Sequence, residues 1–182
     1  MDATKVTTGV RRTLGGVFCA PAGTTLPTDA STALATAFKD QGYISENGVT
    51  KSYSNDIQEI KEWGGATVLV VRTEKTITFA LKEIETLNED AIKTVYGAEN
   101  VEGTIASGLT ITETDDQPEE AVWVIDMVAS DGTLERVVIP RGVITDRGDE
   151  VYKRDEAVGY DITITALPDS TGNKVYTHIK EA

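Results

Sequence analysis

The sequence predicts a mainly β fold, specifically a β-sandwich or barrel with one flanking α-helix. Threonine, valine and isoleucine supply 58 of the 182 residues, whereas leucine supplies nine. Their β-branched side chains suit a pleated sheet and are less favourable in helices. Several segments also alternate apolar and polar residues with the period of a strand. The length is that of one domain, and we expect residues 1–182 to form it.

The N-terminal part is predicted to hold little regular structure. Residues 1–14 are typical of a strand or arm, because their apolar side chains are widely spaced. Glycine and proline interrupt residues 15–29, which predicts a loop. The alanine-rich residues 31–38 are predicted to form a short helix capped by Asp29 or Thr28.

Two kinds of β signal follow. Residues 41–65 are polar, and the Asn47-Gly48 dipeptide within them predicts a hairpin turn between short strands. Residues 67–72 and 75–81 are each predicted to form a strand. In the second of these the inward-facing residues are Ile77, Phe79 and Leu81.

One helix is predicted after these strands. Thr86 and Glu89 have the spacing of a capping box, in which the hydroxyl and the carboxylate each bind an otherwise unpaired backbone N–H. Gly97 is placed to end the helix in a left-handed conformation. The apolar face of this helix is formed by Leu87, Ala91, Ile92, Val95 and Tyr96.

The chain after Gly97 is predicted to be nearly all strand. The predicted strands cover residues 104–113, 121–129, 134–139, 151–167 and 174–180. Asp131-Gly132 predicts a hairpin turn between the second and the third. The 121–129 strand is apolar on both faces apart from Asp126, so both faces must be covered. Another subunit is a candidate for part of that cover.

The charge restricts the class of partner. Thirty acidic residues against 17 basic residues give a net charge of −13. Such a surface repels phosphate backbones and anionic lipids, which disfavours ordinary nucleic-acid binding and membrane docking. No apolar run, residues 68–71 included, is long enough for a signal peptide or a membrane helix, so we expect synthesis in the cytoplasm.

Residues suited to catalysis or metal binding are scarce. Cys19 and His178 are the sole cysteine and histidine, which excludes a disulfide framework and most histidine-based metal sites. The Glu119-Glu120 pair is poor geometry for acid–base catalysis, because adjacent strand residues face opposite sides. The aspartate-rich residues 130–132 and 168–173 lack the spacing of an EF-hand and favour plain turns. We therefore predict no catalytic residue, cofactor or metal.

A distinctive pattern runs through residues 42–83. It begins with Gly-Tyr-Ile-Ser, an acidic residue and Gly, continues as a polar stretch to Trp and small residues, and closes with a Thr-rich strand. The matching positions are Gly42, Tyr43, Ile44, Ser45, Gly48, Trp63, Gly64, Thr76, Thr78, Phe79, Leu81 and Glu83. This pattern resembles the major tail tube proteins of bacteriophages with long non-contractile tails, particularly those of actinobacterial hosts. The upstream residues 20–27 and 38–39 are also similar to that family.

The resemblance implies a tube subunit. Such proteins form hexameric rings that stack, and each subunit gives strands to an inner β-barrel around a DNA channel. A long loop reaches the neighbouring ring, and here it corresponds to a polar stacking loop at about residues 45–65. We expect this loop to be loosely ordered in the free subunit and to order on stacking. The candidate assembly residues are Tyr53, Ile57, Ile60 and Trp63.

The same resemblance implies an acidic lumen, which would let DNA pass without sticking. The candidate lumen-facing residues are Asp161, Thr163, Thr165 and Glu113. The implied partners are further copies of the chain, the tape measure protein and viral DNA inside the lumen, and the tail terminator and distal tail proteins. The implied location is the virion tail, assembled in the cytoplasm of the host bacterium.

Two other functions stay open from the sequence. The first is a non-catalytic phage surface or capsid-decoration module with an immunoglobulin-like β-sandwich, which would remain a discrete monomer or trimer. The second is a glycosidase-like β-domain that uses Glu119 and Glu120.

Overall fold

The structure, a computed structural model, describes residues 7–11, 16–116 and 118–181. These residues are mainly β, as predicted, with one α-helix and a short 3-10 turn at Ala98–Asn100. The elements are β1 (Gly9–Arg11), β2 (Val17–Pro21), β3 (Lys39–Asp40), β4 (Ile44–Lys61), β5 (Thr67–Glu83), α1 (Glu89–Tyr96), β6 (Val101–Thr104), β7 (Gly108–Ile111), β8 (Ala121–Ala129), β9 (Leu134–Arg147), β10 (Tyr160–Ala166) and β11 (Tyr176–Lys180).

Nine of these strands form one antiparallel sheet in the order β3-β2-β8-β9-β10-β5-β4. β1 continues the position of β2 beside β8, and β11 continues the position of β10 beside β9. β6 and β7 form a separate hairpin. Residues of β2 and β5, which are far apart in the strand order, pack in the same core cluster. The sheet is therefore rolled around one core, consistent with the predicted sandwich architecture.

The main core lies between the rolled sheet and α1. The predicted alternation is confirmed on β5 and β10, whose alternate residues are buried. Their buried side chains are Ile77, Phe79, Leu81, Tyr160, Ile162, Ile164 and Ala166. The helix contributes Ala91, Ile92 and Val95 to the buried surface. The alternation of apolar and polar residues in the sequence thus correctly predicts which face of β5 and of β10 is buried.

The opposite face of β8 has its own cover, as the doubly apolar strand predicted. Val122 and Val124 pack in a second cluster with Phe38. The cover comes from this chain itself, from residues 22–38, which we call the covering segment. The helix predicted at residues 31–38 is wrong. A helix would use the Thr32 carbonyl as an internal acceptor, whereas here that carbonyl accepts from Arg136 Nη1 at 2.9 Å.

The predicted helix exists, but it begins two residues later than the capping box implied. Asn88 is the N-cap, and its side chain accepts from the N–H groups of Asp90 and Ala91. Leu87 therefore lies before the helix and is exposed instead of on the apolar face. Gly97 ends the helix at the predicted place with a positive φ of 90°, but its ψ of 135° lies outside the left-handed helical region.

The predicted polar loop at residues 45–65 is wrong as secondary structure, because residues 44–61 form one long strand. β5 is likewise one strand where two were predicted. Gly48 does have a left-handed φ of 66°, but it lies in a bulge between the Ile44–Glu83 and Val49–Leu81 pairs. The hairpin turns at residues 62–66, where Glu62 N–H donates to the Ala66 carbonyl at 2.9 Å. The long-range pairing with β5 outcompeted the local turn.

Further differences concern the bounds of strands. β2 (Val17–Pro21) lies within the predicted loop at residues 15–29, and β9 continues to Arg147 beyond the predicted 134–139 strand. The predicted 104–113 strand is instead the β6–β7 hairpin, which turns at residues 105–107. The 151–167 strand begins only at Tyr160. The predicted arm at residues 1–14 lies partly outside the described residues, and its described part contains β1. Across the described part of the chain, no helix is long and apolar enough to cross a membrane.

Candidate assembly surfaces

The far half of the β4–β5 hairpin projects from the body of the protein. Every residue from 52 to 75 is exposed, and we call this segment the hairpin arm. β4 is also the last strand in the sheet order, so its outer edge has no partner strand among the described residues. A long exposed edge with apolar side chains is a template for pairing with another chain. The arm is therefore the candidate assembly surface of this structure.

All four candidate assembly residues lie in the hairpin arm. Strand periodicity places Tyr53 and Ile57 on one face and Ile60 on the other. Trp63 lies in the turn at the tip and is fully exposed. The structure thus brings the four to one projecting segment but not to one face. Any partner that buries them all must contact both sides of the hairpin.

Sequence reasoning missed half of the apolar surface of the arm. Val68, Leu69, Val70 and Val71 on β5 are all exposed. The sequence predicts a strand over residues 67–72, but the exposure of its apolar residues on both faces is not among the predictions. Its signal was available, however, because four consecutive apolar residues in a strand make both faces apolar.

The predicted stripe of Asp161, Thr163 and Thr165 lies on the outer face of β10. The sheet continues it with hydroxyl-bearing neighbours, since Thr165 pairs with Thr78 of β5 and its Oγ1 lies 2.7 Å from Thr145 Oγ1. We call this surface the hydroxyl face; its members are Thr50, Ser52, Thr78, Thr145, Thr163 and Thr165. Asp161 is paired across the strands with Lys82. The stripe is therefore richer in hydroxyls than in carboxylates.

Glu113 lies apart from that stripe. Its carboxylate accepts from Arg147 Nη2 at 3.0 Å, and the Arg147 guanidinium stacks 5.0 Å from the ring of Tyr96 on α1. Arg147 is also the cross-strand partner of buried Ile162, so Glu113 is on the helix side of the sheet. The two groups of candidate lumen residues thus occupy opposite faces.

Glu120, of the Glu119-Glu120 pair, lacks the electrostatic environment that an acid catalyst requires. Arg141 binds both oxygens of Glu120, at 2.8 and 2.7 Å. These hydrogen bonds hold the pKa of Glu120 below its ordinary value, whereas a general acid requires a raised pKa. Burial raises the pKa of the Cys19 thiol to about 12, so this side chain behaves as a small buried apolar group.

The aspartate-rich turns are held by protein donors. Asp169 accepts hydrogen bonds from the N–H groups of Thr171 and Asn173 and from the hydroxyl of Tyr176. Asp131 accepts from the Thr133 N–H in the β8–β9 turn. Within the described residues, no cluster of three or more His, Cys, Asp or Glu side chains could hold a metal ion. Both turns are thus explained by their own hydrogen bonds.

Comparison with known proteins agrees with this architecture. No curated protein matches the chain. The model of the phage tail tube protein family matches residues 5–182, nearly the whole sequence. Tail tube proteins are structural proteins of the bacteriophage virion. The chain therefore belongs to the phage tail tube protein family.

Proposed function

We propose that this protein builds the tail tube by assembling into stacked rings, six copies to a ring, around a channel that conducts DNA. The observation that carries the proposal is the exposure of the hairpin arm. All 24 of its residues are exposed, and apolar side chains lie on both of its faces. A soluble subunit gains nothing from such an arm by itself, because its apolar side chains remain in water. A neighbouring copy supplies the surface that covers them.

The charge of the hairpin arm suits contact between identical chains. Residues 52–75 contain four acidic and three basic side chains, although the whole chain carries −13. Two copies that met through their strongly acidic surfaces would repel each other. Contact through a nearly neutral arm avoids that repulsion. We therefore assign the arm to stacking between rings.

We further propose that the hydroxyl face lines the channel. Its threonine and serine side chains are hydrated and uncharged, so they offer phosphates no cation to bind. Asp161 lies at one end of the stripe, where its cross-strand partner Lys82 balances its charge. Glu113, on the helix side, is assigned away from the lumen. DNA would pass through the channel because it interacts only weakly with the channel wall along the whole tube.

The remaining partners follow from membership of a tail. The lumen would hold the tape measure protein and viral DNA without sequence-specific contacts, and the tube ends would meet the tail terminator and distal tail proteins. Assembly would take place in the cytoplasm of the host bacterium. The function is structural and requires no catalysis, cofactor or metal.

Negative-stain microscopy of concentrated protein tests the proposal. The wild type should form tubes of uniform width. A matched variant joins Ser54 to Thr76, which are cross-strand partners, through an Asn-Gly turn in place of residues 55–75. It should fold but form no tubes. Discrete monomers or trimers of the wild type would instead favour a decoration module, and tubes of the shortened variant would exclude the stacking role of the arm.

A further inference from the structure

Glu83 is a buried carboxyl group at the base of the β4–β5 hairpin. It is 0 % exposed, and neither of its carboxyl oxygens has a hydrogen-bond partner among the described residues. Burying a carboxylate without a partner is costly, so such a group retains its proton. Burial raises the pKa of Glu83 to about 8. The side chain is therefore neutral at neutral pH.

The groups that surround Glu83 carry no positive charge to stabilise its ionised form. Its cross-strand partners are Ile44 on β4 and Tyr160 on β10. Across the core, β2 presents the Cys19 thiol close to Glu83. Thiol and phenol are both neutral near pH 7.

The charged residues nearest along the chain do not face Glu83. Lys82 is on the opposite face of β5 because strand residues alternate. Glu85 lies in the exposed link to α1, where its carboxylate accepts from the Tyr43 N–H at 3.0 Å. Ionisation of Glu83 would therefore require water to enter the core.

The β4–β5 pairing is interrupted beside Glu83. The Ile44–Glu83 pair is separated from the rest of the β4–β5 ladder by the bulge at residues 45–48. One backbone bond closes it on the other side, from the Ile84 N–H to the Tyr43 carbonyl at 2.8 Å. Opening this short junction would give water a route to the carboxyl group.

We propose that Glu83 is a proton-controlled lock: its protonated side chain keeps β4, β5 and β10 joined at the base of the β4–β5 hairpin, and loss of the proton to mildly alkaline solvent loosens that junction. The lock belongs to the subunit itself and does not depend on stacking. It would make the base of the hairpin, but not the hairpin arm, sensitive to pH.

The direction of the pH effect follows from linkage. The pKa is raised from an ordinary value of 4.5 to about 8 in the folded protein, so the folded state keeps a proton that the unfolded chain has lost. The stabilisation is complete below about pH 4.5 and is lost as the pH rises to about 8. Over pH 5.5–7.5 the unfolding equilibrium constant should rise about tenfold per pH unit from this one group.

The test compares urea unfolding of the wild type, Glu83→Gln and Glu46→Gln across pH 5.5–8. Glu46 is an exposed glutamate in the adjoining bulge, so its variant controls for loss of one carboxylate. Glu83→Gln should lose the steep pH dependence, and Glu46→Gln should keep it. If the polar amide prevents folding, Glu83→Leu takes its place and should also be flat. Equal slopes for the wild type and the Glu83 variant would overturn the lock.

Two measurements on the proteins locate the effect. The carboxyl carbon of Glu83, followed by NMR in the wild type, should titrate near pH 8, and a midpoint near 4.5 would contradict the proposal. Exchange of the Ile84 amide, corrected for its intrinsic pH dependence, should accelerate from pH 6 to 8 in the wild type alone. Equal acceleration in Glu83→Gln would show that the junction does not respond to this group.

Discussion

Arg136 and Asp126 form a buried ion pair with two parallel hydrogen bonds, from Nε to Oδ1 at 2.6 Å and from Nη2 to Oδ2 at 2.7 Å. The pair joins β8 to β9 on the face opposite the main core. Arg136 Nη1 also donates to the carbonyls of Asp29 and Thr32, at 3.0 and 2.9 Å. One guanidinium thereby holds the covering segment on the sheet.

Replacing Arg136 with methionine should destabilise the protein strongly. The change removes the countercharge of the buried Asp126 carboxylate and releases two carbonyls of the covering segment. We expect a loss of about 3–5 kcal/mol in the free energy of unfolding, measured with urea. Arg141→Met on the same strand is the control, because its pair with Glu120 is about 40 % exposed and should be worth less than about 1 kcal/mol. Equal losses of unfolding free energy in the two variants would contradict the stabilising role assigned to the buried pair.

Replacing Trp63 with alanine should impair assembly without affecting the subunit. The side chain is fully exposed in the free chain, so its removal should leave the unfolding free energy within about 0.5 kcal/mol of wild type. If a neighbouring copy buries it, the critical concentration for tube formation should rise about tenfold or more. Sedimentation of polymer from monomer measures this. Leu87→Ala, at another exposed apolar site, should leave the critical concentration unchanged; an equal rise there would refute a specific role for Trp63.

Replacing Gly142 with alanine should strain the main core. A Cβ at this position would lie 2.5 Å from Trp123 Cδ1 and 2.9 Å from Ile164 Cγ2. Both neighbours are buried and cannot move freely, so we expect a loss of about 1–3 kcal/mol in thermal or urea unfolding. Gly9→Ala is the matched control, since its nearest atom is Met127 Sδ at an ordinary 3.6 Å. An unchanged Gly142→Ala would show that this part of the sheet yields easily.

Acid should loosen the turn between β10 and β11. Hydrogen bonds from Tyr176 and Thr171 hold the pKa of Asp169 well below its usual range. The carboxylate therefore stabilises the turn above the ordinary pKa of 3.8, and that contribution is lost as the pH falls further. Exchange of the Thr171 and Asn173 amides, corrected for intrinsic rates, should accelerate below pH 3. Asp169→Ala should show fast exchange at neutral pH already, whereas exposed Asp115→Ala should behave as wild type. Slow exchange in Asp169→Ala would rule out the carboxylate as the organiser of the turn.

Much of the sheet could be predicted from short-range patterns. Alternation along β10 set which side of Ile162 and Ile164 is buried, and the doubly apolar β8 correctly required a cover on each face. The apolar residues in the polar segment around Trp63 were recognised as candidates for assembly, and the structure places them on the hairpin arm. These features depend on the two-residue repeat of side-chain direction, which is the same in every strand whatever its position in the fold.

Some local sequence features are compatible with two structures, and residues distant in the sequence determine which of the two forms. Gly48 indicates a residue with a left-handed φ, which suits a hairpin turn and a bulge equally. The residues on either side of it pair with Leu81 and Glu83 on β5, and this pairing selects the bulge. Asn88 replaced Thr86 as the N-cap, although both can accept from helix N–H groups. Residues 31–38 have helical composition, but Arg136 binds one of their carbonyls from another strand.

The amino-acid sequence alone was sufficient for the β class, the buried faces of β5 and β10 and the membership of a family. The rolled sheet, the 24-residue arm and the partnerless burial of Glu83 emerged only in three dimensions. The physical reason is the range of the interactions. Strand periodicity acts between residues two apart, whereas burial and strand pairing join residues separated by tens of positions, and their free energies exceed local preferences.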